Sequence, residues 1–374
     1  MRPRVVYWNN IPSPYMVERF NALEKRGNMD FEAWFNDRTE SDRSWDINES
    51  DWKFRYRYIP TTTFFGKVMH WPLPIVNNKG INVLVSLYAR PSFITGWVIA
   101  RLKGVKTGFW VEVTFDSWVK RTALKELIKK WLFSRVDGII TVGDDGKKFS
   151  ERYGASSDNI YFAPHVIDVE HYKGQSEAIL PKLSQFREQI GLRGFTFIYV
   201  GRLWRGKGVN YLLDAFEKVQ RVSQEEISLL LVGDGPAEGE LKRWCEVKAV
   251  RNVVFAGFQQ KKLLPQFYAM ADVFVFPTLG DPYGLVVDEA MACSLPVIST
   301  SSAGEIKLRV VEEVNGFIVS PEDSGSLADR MLHLVRNPVL CAQMGEASLK
   351  MIEGRTPEKW AEDFESIVYS MLRK

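Results

Sequence analysis

Residues 195–219 read FTFIYVGRLWRGKGVNYLLDAFEKV: a short apolar run, a glycine-rich turn and an amphipathic stretch of helical length. The same alternation recurs along the chain, and it is typical of helices packed on a parallel sheet. We therefore predict an α/β protein. The predicted strands are 5–8, 31–35, 83–87, 108–113, 138–142 and 160–163 in the first half, and 195–200, 228–232, 253–256, 273–276, 297–299 and 317–319 in the second.

The length of 374 residues exceeds that of one ordinary domain, so two doubly wound domains in tandem are predicted. An aperiodic stretch at 169–185 predicts an exposed connection, which places the domains at residues 1–175 and 186–356. Residues 357–374 are predicted to form a final helix, capped by Thr356. Residues 36–80 are interpreted as an irregular insertion, either functional or a plain surface loop.

Composition excludes several classes of protein. A net charge of +3 argues against a nucleic-acid-binding protein, although residues 1–175 carry +6 and residues 176–374 carry −3. Three widely spaced cysteines predict neither a disulfide framework nor a metal site, and they fit a reducing cytoplasm. Because no apolar stretch reaches the roughly 18 residues of a membrane span, any contact with a bilayer is expected to be peripheral.

The glycine-rich turn after strand 195–200 predicts an anion site. Arg202 and Lys207 follow Gly201 at the carboxyl edge of the sheet, where open α/β sheets bind ligands. Two cations five residues apart, just before a helix, suit a diphosphate; the alternative is that both are solvated charges near a strand end. The spacing differs from that of a P-loop, so a kinase-type nucleotide site is not supported.

A second element, PTLGDPYGLVVDEAMACSLPVIST at 277–300, carries two carboxylates around a predicted helix start. Asp281 lies in the loop, and Glu289 lies more than one turn into a helix predicted from 284 to 291. The amides of Gly284 and Leu285 are then helix-start donors for a phosphate oxygen. Two carboxylates on either side of an anion site can hold opposite ends of a sugar nucleotide.

Four motifs in this order, GRLWRGKG, VGDGP, AGFQ and DPYGLVVDEA, resemble the carboxyl-terminal domain of the family 4 glycosyltransferases. These are retaining enzymes of the GT-B fold, and the resemblance covers about residues 195–336. It implies two tandem Rossmann-like domains with a cleft between them, and a C-terminal helix that crosses back to the N-terminal domain. The N-terminal domain would bind the acceptor and the C-terminal domain the nucleotide-sugar donor.

The resemblance also implies roles for single residues. Arg202 and Lys207 would stabilise the departing diphosphate, and Glu289 would bind the ribose. Asp281 would bind the transferred sugar; the family usually has Glu there, and a side chain shorter by roughly 1.5 Å is expected to change the donor sugar. The residues expected around the donor are Gly201, Arg202, Lys207, Gly257, Phe258, Asp281, Tyr283, Gly284, Leu285 and Glu289. Glu305, in the following glycine-rich turn, is a further candidate or a support of the phosphate loop.

The first half resembles the family less closely. The residues expected on the acceptor side are Ser13, Pro14, Tyr15, Glu112 and Thr114. Many members place a histidine at the end of a strand in this domain, and no histidine of this chain follows the matching strand. Glu112 is the substitute candidate, the alternative being a partly buried structural carboxylate. His165 resembles part of the interdomain segment and is interpreted as structural.

Residues 119–138 form a basic amphipathic segment in which Leu124, Leu127 and Trp131 alternate with Lys125 and Lys130. Such a helix can lie on an anionic membrane. It can also be a surface helix with its apolar face on the sheet, and the pattern alone favours this second interpretation. The positive charge of residues 1–175 favours the membrane interpretation, and with it a lipid-linked acceptor.

The implied function is transfer of a sugar, with retention, from a nucleoside-diphosphate sugar to a hydroxyl of a glycan or lipid-linked saccharide. The expected catalytic residues are Arg202, Lys207, Asp281 and Glu112. No metal and no cofactor are expected beyond the co-substrate, a UDP-sugar, and the setting is the cytoplasm or the cytoplasmic face of a membrane, in synthesis of cell-surface polysaccharide or glycolipid. The alternatives are a nucleotide-sugar 2-epimerase, which shares this architecture, and a non-catalytic nucleotide-sugar-binding subunit.

Overall fold

The computed structural model describes residues 2–39, 48–64, 67–71, 73–77, 80–112 and 122–374. The chain divides into two compact units. Of the described residues, unit 1 comprises those within 2–112, 122–166 and Thr356–Lys374, and unit 2 comprises Ile167–Arg355. Each of the twelve predicted strands overlaps an observed strand.

Unit 1 is built on a seven-stranded parallel sheet in the order β3-β2-β1-β6-β7-β8-β9, with β4 and β5 forming a separate antiparallel hairpin. Its strands are β1 (Arg4–Asn9), β2 (Asp30–Phe35), β3 (Arg55–Tyr58), β4 (Thr61–Phe64), β5 (Lys67–His70), β6 (Val83–Ser86), β7 (Lys106–Val111), β8 (Gly138–Thr141) and β9 (Ile160–Phe162). Its first helices are α1 (Pro14–Arg26), α2 (Leu73–Asn77), α3 (Pro91–Leu102), α4 (Ala123–Phe133) and α5 (Asp144–Arg152).

The interpretation of residues 36–80 as irregular is wrong for the part of this stretch that the structure describes. Strand β3 extends the main sheet in parallel with β2, and β4 and β5 pair with each other. The sequence RYRY of β3 alternates charged and aromatic side chains, which is unusual for a buried strand and typical of an exposed sheet edge. Trp52 supports this edge, because its ring contacts Tyr56 at 4.4 Å.

Unit 2 contains a six-stranded parallel sheet in the order β12-β11-β10-β13-β14-β15. The strands are β10 (Phe195–Val200), β11 (Ile227–Val232), β12 (Val253–Gly257), β13 (Val273–Phe276), β14 (Val297–Thr300) and β15 (Gly316–Val319). The helices are α6 (Val169–Ala178), α7 (Leu183–Ile190), α8 (Val209–Val222), α9 (Glu238–Val247), α10 (Leu264–Ala269), α11 (Leu285–Ala292), α12 (Ser324–Arg336) and α13 (Pro338–Ile352).

The predicted connection at 169–185 is also wrong, because helix α6 and the start of α7 occupy it and unit 2 begins earlier, at Ile167. The buried positions of α6 are Val169, Tyr172 and Ser176, spaced three and four residues apart. One of the three is polar, so the apolar stripe was hidden in the sequence. Asp168 caps the helix by accepting a hydrogen bond from the His171 amide at 3.0 Å.

The last helix, α14 (Pro357–Arg373), belongs to unit 1. Its predicted cap is confirmed, since the Thr356 hydroxyl accepts a hydrogen bond from the Lys359 amide at 3.2 Å. The ring of Trp360 packs against Phe20 of α1, with centroids 6.2 Å apart. None of the described helices is long and apolar enough to cross a bilayer.

Candidate active site

The strand order of unit 2 reverses between β10 and β13, and the loops after these two strands meet at the carboxyl edge of the sheet. Open α/β sheets bind ligands at such a switch point. The Leu279 amide donates a hydrogen bond to the Gly206 carbonyl at 3.0 Å, which joins the two loops. A Cβ on Gly208, which has φ of 68°, would lie 2.0 Å from the Pro277 carbonyl oxygen, so this approach requires glycine.

Lys207 and Asp281 form an ion pair across these two loops. The Lys207 Nζ donates to Asp281 Oδ2, and the two side chains are 20% and 15% exposed. The other carboxylate oxygen, Oδ1, accepts a hydrogen bond from the Tyr283 amide at 2.9 Å. The structure therefore brings the predicted phosphate-binding lysine and the predicted sugar-binding carboxylate together, one turn ahead of α11.

The start of α11 lies in the same place. The helix begins at Leu285, one residue later than predicted, and Gly284 is its cap residue with φ of 75°. The first amides of a helix have no acceptor within the helix and carry the positive end of its dipole. Lys207 and this helix start are joined through Asp281, so two of the three expected diphosphate-binding groups lie together.

Arg202 lies exposed on the loop after β10. Its carbonyl accepts a hydrogen bond from the Tyr199 hydroxyl at 3.0 Å, which fixes the backbone beside Gly201. Burial, and after it the charge of Asp281, raises the pKa of Tyr199 far above its usual value, so this hydroxyl remains a donor. The neutral tyrosine therefore sets the path of the loop that carries the guanidinium.

The turns after β11 and β12 adjoin the loop after β10. The Gly233 amide donates to the Gly257 carbonyl at 2.8 Å, and the Leu203 amide donates to the Asp234 carbonyl at 2.6 Å. Gly257 and Phe258 are both half-buried at the end of β12. The three glycine-containing turns are thus linked side by side.

Glu289 occupies a different environment from the one expected for a ribose ligand. Its side chain has no exposed surface, and its Oε2 accepts a hydrogen bond from the Tyr268 hydroxyl at 2.8 Å. A carboxylate can touch a nucleotide only if part of it is accessible. In this structure Glu289 is an internal acceptor below the start of α11, and Tyr268 is a partner that no motif indicated.

Arg309 is fully buried and holds the loop before α11 from below. Its guanidinium donates to the carbonyls of Tyr283, Gly284 (3.0 Å) and Gly304 (2.9 Å). It also stacks on the Tyr283 ring, with its Cζ 4.0 Å from the ring centroid, and lies 3.5 Å from the carboxylate of Asp288. Tyr283 was expected among the donor-binding side chains; instead its ring is 5% exposed and belongs to this internal support.

The loop after β14 belongs to the same support. The Gly304 amide donates to the Asp281 carbonyl at 2.7 Å, so this loop is attached to both Asp281 and Arg309. Glu305 follows with a positive φ of 55° and is 6% exposed. This burial places Glu305 inside the support rather than on an open surface.

In unit 1, Glu112 follows β7 and contacts His165, which was expected to be structural. Its Oε1 lies 3.2 Å from His165 Nε2 and accepts a hydrogen bond from the Trp110 indole. On the other side of the ring, His165 Nδ1 lies 3.1 Å from Arg19 Nη1 of α1. The sequence contained no signal for this cluster, because its members come from three distant segments.

The other acceptor-side candidates lie at the start of α1. The Ser13 hydroxyl is the helix cap, since it accepts a hydrogen bond from the Met16 amide at 3.3 Å, and Pro14 is the first residue of the helix. Tyr15 follows in the first turn and is half-buried. Thr114 lies outside the described residues. Over the described parts of the chain, no three His, Cys, Asp or Glu side chains are grouped so that they could hold a metal ion.

Known proteins resemble part of the chain. Residues 194–337 match the family described as glycosyl transferases group 1. An uncharacterized glycosyltransferase of Methanocaldococcus jannaschii is 36% identical over 153 residues, 39% of this chain and 38% of that protein. The capsular polysaccharide biosynthesis glycosyltransferase CapM of Staphylococcus aureus is 29% identical over 195 residues, 52% of this chain and 50% of that protein.

Solved structures resemble the whole chain in fold. The crystal structure of Anabaena Alr3699/HepE in complex with UDP has a TM-score of 0.82 and 17% identity, covering 99% of this chain and 100% of that chain. The same protein with UDP-glucose has a TM-score of 0.76 and 16% identity, covering 97% and 99%. The predicted fold class is confirmed: two Rossmann-like α/β units, as in glycosyltransferases of the GT-B type.

The chain spans 38% to 63% of the length of the curated relatives it matches first. The matched family region contains β10–β15, both loops of the switch point, and the residues from Gly201 to Glu289 that were expected around the donor. Residues 194–337 are therefore a domain of the glycosyltransferase group 1 family.

Proposed function

We propose that this protein is a retaining, metal-independent family 4 glycosyltransferase. It moves a sugar from a nucleoside-diphosphate sugar, with UDP as the expected nucleotide, to a hydroxyl of a glycan or lipid-linked saccharide. The observation that carries this proposal is the meeting of the two switch-point loops of unit 2, where Lys207 lies beside the start of α11. A cation and a helix start are the groups that a departing diphosphate needs.

The chemistry follows from charge. As the bond from the anomeric carbon to the diphosphate breaks, negative charge grows on the phosphate oxygens, and Lys207, Arg202 and the first amides of α11 oppose it. At an effective dielectric constant near 20, one pair of unit charges 4 Å apart interacts by about 4 kcal/mol. Each 1.36 kcal/mol changes the rate about tenfold, so the loss of one cation should slow sugar transfer by a factor of several hundred.

Retention follows if the acceptor oxygen bonds the anomeric carbon on the face from which the diphosphate leaves. The acceptor proton then passes to the departing phosphate oxygen, so no separate base is needed. This route also gives a reason for the ion pair between Lys207 and Asp281. When the donor binds, the ammonium gains the diphosphate as a partner, and the carboxylate is released towards the hydroxyls of the sugar.

The relatives support a polysaccharide or glycolipid product. CapM acts in capsular polysaccharide biosynthesis, and the HepE structures hold UDP or UDP-glucose. Incubation of the protein with UDP-, GDP- and ADP-sugars and saccharide acceptors tests the proposal. Formation of a new glycosidic product with release of UDP and with retained anomeric configuration supports it.

The same assay separates the alternatives. Conversion of the donor into its 2-epimer without a saccharide product would assign an epimerase. Nucleotide binding without either reaction would assign a binding subunit. Loss of transfer on adding a chelator to a metal-free assay would contradict metal independence.

Contact of unit 1 with an anionic membrane is the second part of the proposal. The expectation that the apolar face of α4 packs on the sheet holds for Leu132 and Phe133, which are buried, and for Ile128, which packs against the same core. Leu124 and Leu127 are 67% and 65% exposed, and basic residues flank them on the same helix. Apolar side chains inside a basic helical surface suit a bilayer with anionic headgroups, where a lipid-linked acceptor would reside.

Flotation with vesicles tests this second part. We expect the protein to float with phosphatidylglycerol vesicles and much less with phosphatidylcholine vesicles. The double variant Leu124→Ser/Leu127→Ser should lose most of the bound fraction, whereas the control Val339→Ser, at a residue of unit 2 that is 72% exposed, should not. Equal flotation of both variants would contradict the assignment of α4.

A further inference from the structure

Arg19, His165 and Glu112 form a chain of contacts that runs from the interior of unit 1 to its surface. Arg19 is 3% exposed and His165 is 7% exposed, whereas the side chain of Glu112 is 42% exposed. Arg19 Nη1 lies 3.1 Å from His165 Nδ1, and His165 Nε2 lies 3.2 Å from Glu112 Oε1. Only the last member of the chain can meet a ligand.

Hydrogen-bond chemistry fixes the direction of this chain. A guanidinium has donors and no acceptor, so in the neutral form of the ring His165 Nδ1 accepts from Arg19. The hydrogen of the ring therefore lies on Nε2 and points at Glu112. Arg19 is itself held between two rings, with its Cζ 5.5 Å from the centroid of Trp110 and 5.0 Å from that of Trp360. The donor that reaches Glu112 is thus fixed by packing.

The two carboxylate oxygens of Glu112 differ in their hydrogen-bond partners among the described residues. Oε1 accepts from both His165 and Trp110. None of the described residues donates to Oε2, and the exposure of the side chain leaves this oxygen for a ligand. A carboxylate oxygen held in this way is a directed acceptor for a hydroxyl group.

The charge on this carboxylate is also controlled. Burial alone would raise the pKa of Glu112, but the positive charge that the His165 ring carries when it is protonated, together with the hydrogen bond from this ring, the charge of Arg19 and the Trp110 N–H, outweighs burial, so the pKa falls to about 2. The other titratable groups facing it are Tyr7 of β1 and Tyr88, whose pKa values burial raises well above 10. A carboxylate so acidic is a weak base, because general-base catalysis works best with a pKa near the operating pH.

We propose that Glu112 accepts a hydrogen bond from a hydroxyl of the saccharide acceptor and orients it without taking its proton, and that His165 and Arg19 are positioning residues for this carboxylate. The inference rests on the proposed function and assigns the acceptor-binding role within it. In the transfer step the acceptor oxygen bonds the anomeric carbon, the bond to the diphosphate breaks, and the proton leaves with the phosphate. Glu112 is charged before and after the step.

The substitution Glu112→Gln separates binding from proton transfer. Loss of one hydrogen bond to a charged acceptor should raise KM for the saccharide about 10- to 100-fold while kcat changes less than about threefold. UDP binding, which belongs to unit 2, should not change, and the control Glu151→Gln should behave as the unaltered protein. A collapse of kcat with unchanged KM would overturn the proposal, since that is the result expected for a base.

The positioning role of His165 has a readout that does not require activity. Titration of the side-chain carboxyls by carbon NMR, with the Glu112 signal assigned from its loss in Glu112→Gln, should show no titration of Glu112 above pH 3.5. His165→Ala should raise its midpoint by one pH unit or more, and His165→Gln, which keeps an N–H donor, should restore most of the difference. His333→Ala is the control.

The outcomes separate this inference from the proposed function. An unmoved Glu112 midpoint in a folded His165→Ala variant overturns the positioning role, whether or not sugar transfer is detected. Absence of transfer in the unaltered protein, together with a shifted midpoint, counts against the proposed function and leaves the chain from Arg19 to Glu112 supported.

Discussion

In unit 1 the strand order reverses between β1 and β6, and in unit 2 it reverses between β10 and β13, so the two sheets share one plan. The charged side chains described at the two carboxyl edges differ. Unit 2 presents Lys207 and Arg202 on glycine-rich loops, whereas unit 1 presents the carboxylate of Glu112. Under the two proposals above, the same topology offers an anion site in one unit and a hydroxyl acceptor in the other, and the difference then lies in the loops and not in the fold.

A buried arginine supports each of the two sheet edges, but the two arginines form hydrogen bonds with different kinds of partner. Arg309 donates to backbone carbonyls and fixes the shape of a loop, whereas Arg19 donates to a side chain and fixes the orientation of a ring. A site built from backbone amides needs its loop held, and a site built from one carboxylate needs its side chain held.

Removal of Arg309 should have the largest effect. Arg309→Met leaves the buried Asp288 carboxylate without its cationic partner, and it leaves three carbonyls without their hydrogen-bond donor. We therefore expect a loss of about 3–5 kcal/mol in the free energy of unfolding. The control is Arg330→Met, whose ion pair with Glu312 is about 40% exposed and should be worth less than about 1 kcal/mol. Urea unfolding followed by fluorescence measures both, and equal stabilities of the two variants would contradict the role of Arg309.

Lys207→Ala should have the largest effect on activity while leaving the fold intact. Loss of one cation at the departing diphosphate should reduce kcat/KM for the donor about 100- to 1,000-fold. Arg205→Ala, two residues earlier on the same loop and paired with exposed Glu240, should change kcat/KM less than about twofold. A loss below tenfold at Lys207 would mean that the anion site of unit 2 lies elsewhere.

The two edges also differ in how far the sequence predicted them. The expected residues of unit 2 follow strands directly, so each motif carries its own position in the sheet, and the order of the strands brings the loops together. Lys207 and Asp281 could therefore be expected at the same edge of the sheet before their contact was known. Neighbouring residues in one motif share a location, and motifs at the ends of parallel strands share an edge.

What lies beneath that edge could not be predicted. Arg309 lies in the segment IKLRVV, which looks like an ordinary surface turn, and its contacts with Tyr283 and Gly284 span 26 and 25 residues. The hydrogen bond from Tyr268 to Glu289 spans 21 residues. Such contacts depend on how two loops pack and leave no periodicity in the sequence.

The contacts that link Arg19, His165 and Glu112 in unit 1 were even harder to predict from the sequence. Arg19 and His165 are 146 residues apart, and β8 lies between the strands that precede Glu112 and His165. Even a correct strand order would have placed Glu112 and His165 two strands apart. Only the lengths of the side chains and the bends of the loops close the distance, and these are properties of the folded structure.

Removal of the Tyr268 hydroxyl tests the internal support of unit 2 at a smaller scale. Tyr268→Phe leaves the buried Glu289 carboxylate without this donor, so we expect a loss of about 1–3 kcal/mol in the free energy of unfolding. Tyr369→Phe removes an exposed hydroxyl that bonds the Asn28 carbonyl at 3.1 Å and should cost less. If Tyr268→Phe also leaves UDP affinity unchanged, Glu289 acts only inside the unit; a drop in affinity larger than the Tyr369→Phe control would place Glu289 in the nucleotide site.

The smallest effect concerns acid and belongs to unit 1. Because the pKa of Glu112 is lowered from 4.5 to about 2, its ionised form stabilises the folded state fully above pH 4.5, and this contribution is lost as the pH falls towards 2. The side chain is 42% exposed, so solvent screening reduces the contribution to about 1 kcal/mol. Urea unfolding between pH 6 and pH 3 measures it in the unaltered protein and in Glu112→Gln. The stability difference between the two proteins should shrink as the pH falls, because glutamine does not titrate. A difference that stays constant would show that His165 and Arg19 do not stabilise the charge of this carboxylate. The two sheet edges would then differ in shape and not in how they control charge.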